Sequence, residues 1–196
     1  RGILVCMPLV NVLGFHVHSR YLPDRRDLNR EFPGNPDGSM SSRVAHAVWS
    51  KVLSRCDYGL DLHTAAQGQS NLPHVRVDLK VPVLRRVATA FGCEMIYDDA
   101  GRRGSLRRCA TEHGIPTALL EAGGALEYRE AMIAHGFRGC LAALGALGML
   151  DEPHRHADFQ VVVRKADWIR ASRGGLVELK AGPGDLIRQG ELLAIT

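Results

Sequence analysis

The chain has 196 residues, 45% of them apolar, a formal net charge of +4 and a pI of about 9.0. That length and apolar content suffice for one ordinary α/β domain with a small appendage and exclude disorder as the default. No apolar stretch reaches the roughly 20 residues of a membrane-spanning helix, no charged leader opens the chain, and the few aromatics do not interleave with the arginines. Neither a membrane nor a nucleic-acid partner is expected, and the expected location is cytoplasmic. An anionic small substrate accounts for the basicity equally well. Cys6, Cys56, Cys93, Cys109 and Cys140 lie far apart with no Cys-x-x-Cys pair, which reads as reduced thiols rather than a zinc ribbon or redox motif.

In chain order, Gly2 to Val10 is apolar and β-branched on both faces, which predicts a central strand of a covered sheet. A polar loop from Asn11 to Gly38 follows, longer than the ~12–15 residues expected without a functional reason. Ser39 offers an N-cap, and Val44, Val48 and Val52 form one stripe of a helix reaching about Arg55. Tyr58 to Leu62 predicts a strand that ends on His63. Pro73 to Leu79 and Cys93 to Tyr97 predict strands, with a helix over Val81 to Phe91 between them. Ser105 starts a short helix to His113, Ile115 to Leu120 is an apolar strand, and Ala125 to Leu150 is a helix. This alternation predicts an α/β fold, a mostly parallel mixed sheet with helices on both faces. In such sheets ligands bind beyond the carboxyl ends of the strands, where His63 and Glu121 both fall.

After Leu150 the polar segment Asp151 to His156 reads as a linker. Val161-Val162-Val163 and the Gly-rich turns beyond it predict a small β domain. The expected division is therefore 1–150 for the α/β domain and 151–196 for the β domain. Arg1 and Thr196 both lie inside apolar runs, so the ends read as cuts through strands of a longer chain.

An imidazole at a strand end can give a neutral nitrogen to zinc while a carboxylate such as Asp61 fixes its tautomer. It is as readily a simple hydrogen-bonding residue. Glu121, closing an apolar strand before Ala122-Gly123-Gly124, is either ion-paired or a general base opening onto a cleft. In the long loop, Arg20, Asn29 and Arg30 supply cationic and amide donors suited to a carboxylate and a developing oxyanion; a solvated surface role competes. Asn11 can bond its own loop, and Asp27 can pair with Arg25 or Arg30. The pairs His16/His18 and His154/His156 offer alternative metal ligands. Lys180 lacks the Met-Lys tip of a biotinyl or lipoyl carrier.

Taken in order, these motifs resemble the succinylglutamate desuccinylase/aspartoacylase family, within the zinc carboxypeptidase-like fold. Met7-Pro8-Leu9-Val10-Asn11 with Gly14-Phe15 resembles the strand and turn before the family's substrate loop. Asp27-Leu28-Asn29-Arg30 resembles its asparagine-arginine motif, Asp61-Leu62-His63-Thr64 its histidine ligand motif, and Gly114-Ile115-Pro116 to Glu121-Ala122-Gly123 its glutamate segment. The resemblance implies one zinc ion, with His63 as a ligand and Glu121 as general base and acid. It also implies that Asn29 and Arg30 bind the substrate carboxylate, that Arg20 polarises the scissile carbonyl, with Arg25 and Arg26 as rivals for that place, and that Arg107 makes a second anionic contact. The family's other two ligands form a His-x-x-Glu pair, which is absent from this sequence, and a catalytic zinc needs three protein ligands. The expectation is thus a fragment, itself inactive, of a zinc-dependent hydrolase of an N-acylated amino acid or similar small carboxylate substrate. A metal-free carboxylate-binding protein and a carboxypeptidase-type peptidase are the alternatives.

Overall fold

The computed structural model describes residues 1–151 and 157–196. The expected linker residues 152–156, with the His154/His156 pair, lie outside the described residues. Five strands form the main sheet: β1 (Gly59–His63), β2 (Ser70–Val77), β3 (Met95–Asp98), β4 (Thr117–Gly124) and β5 (Val161–Val163), in the spatial order β1-β4-β2-β3-β5. The pairs β1/β4, β2/β3 and β3/β5 are parallel, and β2/β4 is antiparallel. The mixed, mostly parallel sheet is therefore the one expected.

Strand β4 is nearly all buried, as the apolar run Ala118-Leu119-Leu120 demands. On one face of the sheet Ala118, Leu120, Val75, Val77 and Ile96 form the main core with helix α3 (Pro82–Phe91) and helix α5 (Glu130–Ala146). Pro82 opens α3, where its missing N–H costs nothing, and Gly92 ends it at φ +80°. Helix α4 (Leu106–Glu112) packs on β4 and β1, and the β4 amide of Thr117 donates to its Thr111 Oγ1 at 3.2 Å. Ser105 caps α4 by accepting from the Arg108 amide, as Ser39 caps helix α2 (Met40–Lys51) by accepting from that of Ser42. A second core of Leu22, Leu28, Phe32, Ala45, Leu106 and Cys109 joins α2 and α4 to the long loop.

The structure departs from the sequence reading in four places. Gly2 to Val10 is no strand: most of it is exposed, and among the described residues no strand pairs with it. The loop that follows is partly ordered into helix α1 (Val12–His16) and a 3-10 turn at Leu28–Arg30. The last long helix starts at Glu130 and ends at Ala146, inside the span expected. Val161–Val163, expected in the C-terminal β unit, instead extends the main sheet beside β3, leaving that unit the short pair β6 (Glu178–Leu179) and β7 (Ala194–Ile195).

Gly139 of α5 faces the ring of Phe91, which is itself buried, and an added Cβ would overlap that ring. In an open helix, glycine to alanine gains about 1 kcal/mol. Here overpacking outweighs that gain, and Gly139→Ala is expected to lower the unfolding free energy by about 1–3 kcal/mol, read from the urea midpoint at unchanged m.

Candidate active site

In the parallel pairing of β1 with β4, His63 stands opposite Glu121, so both side chains leave the same face at the same end of the sheet. Asp61, two residues earlier, shares that face, and its Oδ2 lies 3.0 Å from His63 Nε2. That contact puts the ring proton on Nε2 and leaves Nδ1 as the free nitrogen. Burial pulls the His63 pKa down, but the hydrogen bond and charge of Asp61, aided by Glu121, outweigh it against the opposing charge of Arg20, so the net shift is upward.

Glu121 is held from the other side. Asn71 of β2 donates Nδ2–H to Glu121 Oε2 at 3.0 Å. The turn after β4 needs Gly123, whose φ is +67°, and its carbonyl accepts from the Ala65 amide at 3.1 Å, tying the loop after His63 to the end of β4. His74 stands opposite Glu121 on β2; its Nδ1 bonds the Leu72 carbonyl at 2.8 Å, and burial is the main cause of its lowered pKa.

The long loop covers this face. Asn11 bridges it, accepting from the Gly14 amide at 2.9 Å and donating to the Arg20 carbonyl at 3.1 Å. Arg20 donates Nε and Nη2 to Asp27 Oδ2 at 3.0 and 2.9 Å, while Asp27 Oδ1 accepts from the Asn29 amide at 2.9 Å. Asn29 Oδ1 accepts from the Leu106 amide at 2.8 Å, the first residue of α4, so its Nδ2 is the end left for a ligand. Arg30 donates to the Asn29 carbonyl at 2.5 Å and stands 3.8 Å from Asp27. A cleft of about 320 Å³ results, with Asn11, Arg20, Asp27, Asn29, Asp61 and His63 as its charged and amide groups and Leu9, Phe15 and Phe32 among its apolar walls.

Of the expected residues, the structure thus brings Arg20, Asn29 and His63 to one cleft, with Glu121 beside His63 in register and Arg30 on the adjoining turn. Arg26, a rival of Arg20, pairs with Glu31 at 3.3 Å instead. Arg107 is 4% exposed and is not among the residues lining the cleft; its guanidinium donates to the carbonyl of Asp99 and, at 3.0 Å, to Asp99 Oδ2. Burial lowers its pKa against the pull of Asp99. Arg76 reaches the same carboxylate at 2.6 Å. Asn71, His74, Arg76 and Asp99 were not singled out by the sequence. Asn71 lies in a Gly/Gln/Ser/Asn stretch that reads as an ordinary turn, and only the β2/β4 register brings it to Glu121.

For zinc, the donor set decides the fit. His63 Nδ1 suits one ligand, with Asp61 fixing the tautomer. Among the described residues no group of three His, Cys, Asp or Glu side chains is placed to hold a metal, so these residues alone do not fit a complete zinc site.

The α/β fold is shared with solved structures. A succinylglutamate desuccinylase/aspartoacylase from Rhodobacter sphaeroides superposes with a TM-score of 0.83 at 29% identity, over 96% of this chain and 60% of that one. The product-bound ectoine utilization protein EutE (DoeB) from Ruegeria pomeroyi has the same fold, with a TM-score of 0.84 at 24% identity, over 95% of this chain and 60% of that one. Residues 1–147 match the model of the succinylglutamate desuccinylase/aspartoacylase catalytic domain, and the chain belongs to that family. The chain is also 28% identical to the N-alpha-acetyl-L-2,4-diaminobutyric acid deacetylase of Halomonas elongata, over 99% of its own length and 60% of the relative's. It therefore spans less than two thirds of the relatives it matches.

Two outcomes follow from the charges around the cleft. Removing Asp61 leaves burial as the main influence on His63, so Asp61→Asn is expected to lower the His63 pKa, read from its ring-proton shifts against pH. Burial raises the Asp99 pKa, but bonds from the Gly101 amide and Arg76 and the charge of Arg107 bring it below 3.8. Its contribution to stability is therefore complete above about pH 4 and fades as the pH falls through the folded value. Asp99→Asn leaves the buried Arg107 without its counter-charge, at an expected cost of about 1–3 kcal/mol at neutral pH. That is less than the roughly 3–5 kcal/mol of a fully buried pair, because Asp99 is partly exposed. Urea titrations at pH 7 and pH 3 should show the variant's deficit shrinking at the lower pH.

Proposed function

We propose that this chain carries one metal ligand and the substrate-binding loop of a zinc-dependent hydrolase that cleaves the amide, or ester, bond of an N-acylated amino acid or similar small carboxylate. The observation that carries the reading is the placement of His63, oriented by Asp61, directly opposite Glu121 and beside an arginine-bearing cleft. Family membership and the relative whose name describes the deacetylation of an N-acetylated amino acid support the reaction type.

In this reading two further ligands come from residues outside this sequence, which spans 60% of that relative. A zinc ion held by His63 and those ligands would supply a water with its pKa lowered toward about 7. Glu121 takes up a proton at its carboxylate and returns it to the leaving nitrogen. Arg20 is anchored through Nε and Nη2, and its remaining Nη1 is assigned to the oxyanion. Asn29 Nδ2 and the Arg30 guanidinium take the substrate carboxylate. Arg107, enclosed with Asp99, is assigned no substrate contact.

A second reading, a carboxylate-binding protein without metal, is favoured by the donor count of the described residues. One experiment separates the two. A version carrying a His-x-x-Glu pair ahead of residue 1 is expected to bind one zinc and hydrolyse N-acyl amino acids. His63→Ala in that version is expected to lose both metal and turnover, and Glu121→Gln to keep zinc while losing about 100-fold or more in kcat. The chain as given is expected to bind no stoichiometric zinc and to hydrolyse nothing. Full turnover in Glu121→Gln contradicts the assigned base, and a version that binds acyl amino acids without zinc or turnover establishes the second reading.

A further inference from the structure

We propose that Asn71 is a positioning residue for Glu121, holding one carboxylate oxygen so that the other faces the reacting proton. The inference rests on the general-base reading of Glu121. A carboxylate on a flexible side chain presents either oxygen in many directions, and a base must hold one of them within hydrogen-bond reach of the proton it takes. Among the described residues Asn71 Nδ2 is the hydrogen-bond donor to Glu121, through Oε2 at 3.0 Å, which leaves Oε1 free.

The backbone is shaped for that contact. In the antiparallel β2/β4 pairing, Asn71 stands opposite Gly123 and His74 opposite Glu121, so two residues of β2, Leu72 and Pro73, face the single residue Ala122. In an uninterrupted strand, residues three apart point to opposite faces; the extra residue of this bulge puts Asn71 and His74 on the face of Glu121 together. Pro73 brings no N–H to the ladder, and the bond from His74 Nδ1 to the Leu72 carbonyl at 2.8 Å closes the bulge. Gly123 has no side chain to stand between Asn71 and its diagonal neighbour Glu121.

The test has two parts. In the chain as given, 15N-labelled, the Asn71 side-chain amide proton resonance is expected to move upfield in Glu121→Ala; an unmoved resonance overturns the contact. In the zinc-complete version, Asn71→Leu, with Asn71→Ala as a second variant should the first not fold, is expected to keep one zinc and lower kcat about 10- to 100-fold, as loss of a hydrogen bond to a charged group implies. KM should change less than about twofold. Unchanged kcat beside an inactive Glu121→Gln overturns the positioning role alone, and a rise in KM with kcat kept assigns Asn71 to substrate binding and overturns it too. An active Glu121→Gln overturns the general-base reading itself.

Discussion

The site depends on the register of β1 against β4. Five successive pairs, Gly59 with Thr117 through His63 with Glu121, lock the two parallel strands. A slip of one residue would turn His63 and Asp61 onto the face where Ala118 and Leu120 meet α3 and α5. That core would then have to bury an imidazole and a carboxylate among aliphatic side chains, at several kcal/mol each unless paired. The hydrophobic core on one face therefore fixes the polar pair on the other. No contact within the site is needed to choose the register.

The loop over the site is organised differently. Its backbone has few ladder bonds, and its shape is held by side chains that bond backbone groups: Asn11 to Gly14 and Arg20, Asp27 to Asn29, Asn29 to Leu106. Leu22, Leu28 and Phe32 then anchor it in the second core against α2 and α4. Asn29, assigned to the substrate, is thus also one of the residues that shape the loop. Its side-chain carbonyl is committed to the fold and its amide is left over.

How much of this was legible in the sequence follows from which constraints are local. Ser39 and Ser105 mark helix starts through the chain's own nearby amides, and both helices begin at the next residue. His63 and Glu121 were legible because apolar runs end on them. Gly2 to Val10 was misread because β-branched, apolar composition records fitness for a pleated, paired surface, and among the described residues no strand lies beside it to supply the pairing. Val161–Val163 was assigned to the wrong sheet for the same reason: three valines make a strand, but only the open edge of β3 decides where it docks. Arg107 was named as a contact residue only through the family resemblance, and its burial was not legible in the sequence. The carboxylate and carbonyl of Asp99 offset the cost of its burial, against the like charge of Arg76.

The metal question turns on the same distinction between local and distant partners. Asp61 and His63 form their pair within one strand, so the proposed ligand and the carboxylate that orients it are encoded in three residues. A zinc ion needs two more donors, and their chelating geometry cannot be supplied by strengthening the first. With Nε2 committed to Asp61, His63 can offer only Nδ1, and the neighbouring carboxylate of Glu121 is already engaged by Asn71. Under the proposed reading, using Glu121 as a ligand through its remaining oxygen, Oε1, would take away the oxygen left to move a proton. Under that reading Glu121 handles the proton, and the remaining donors are assigned to residues other than those described.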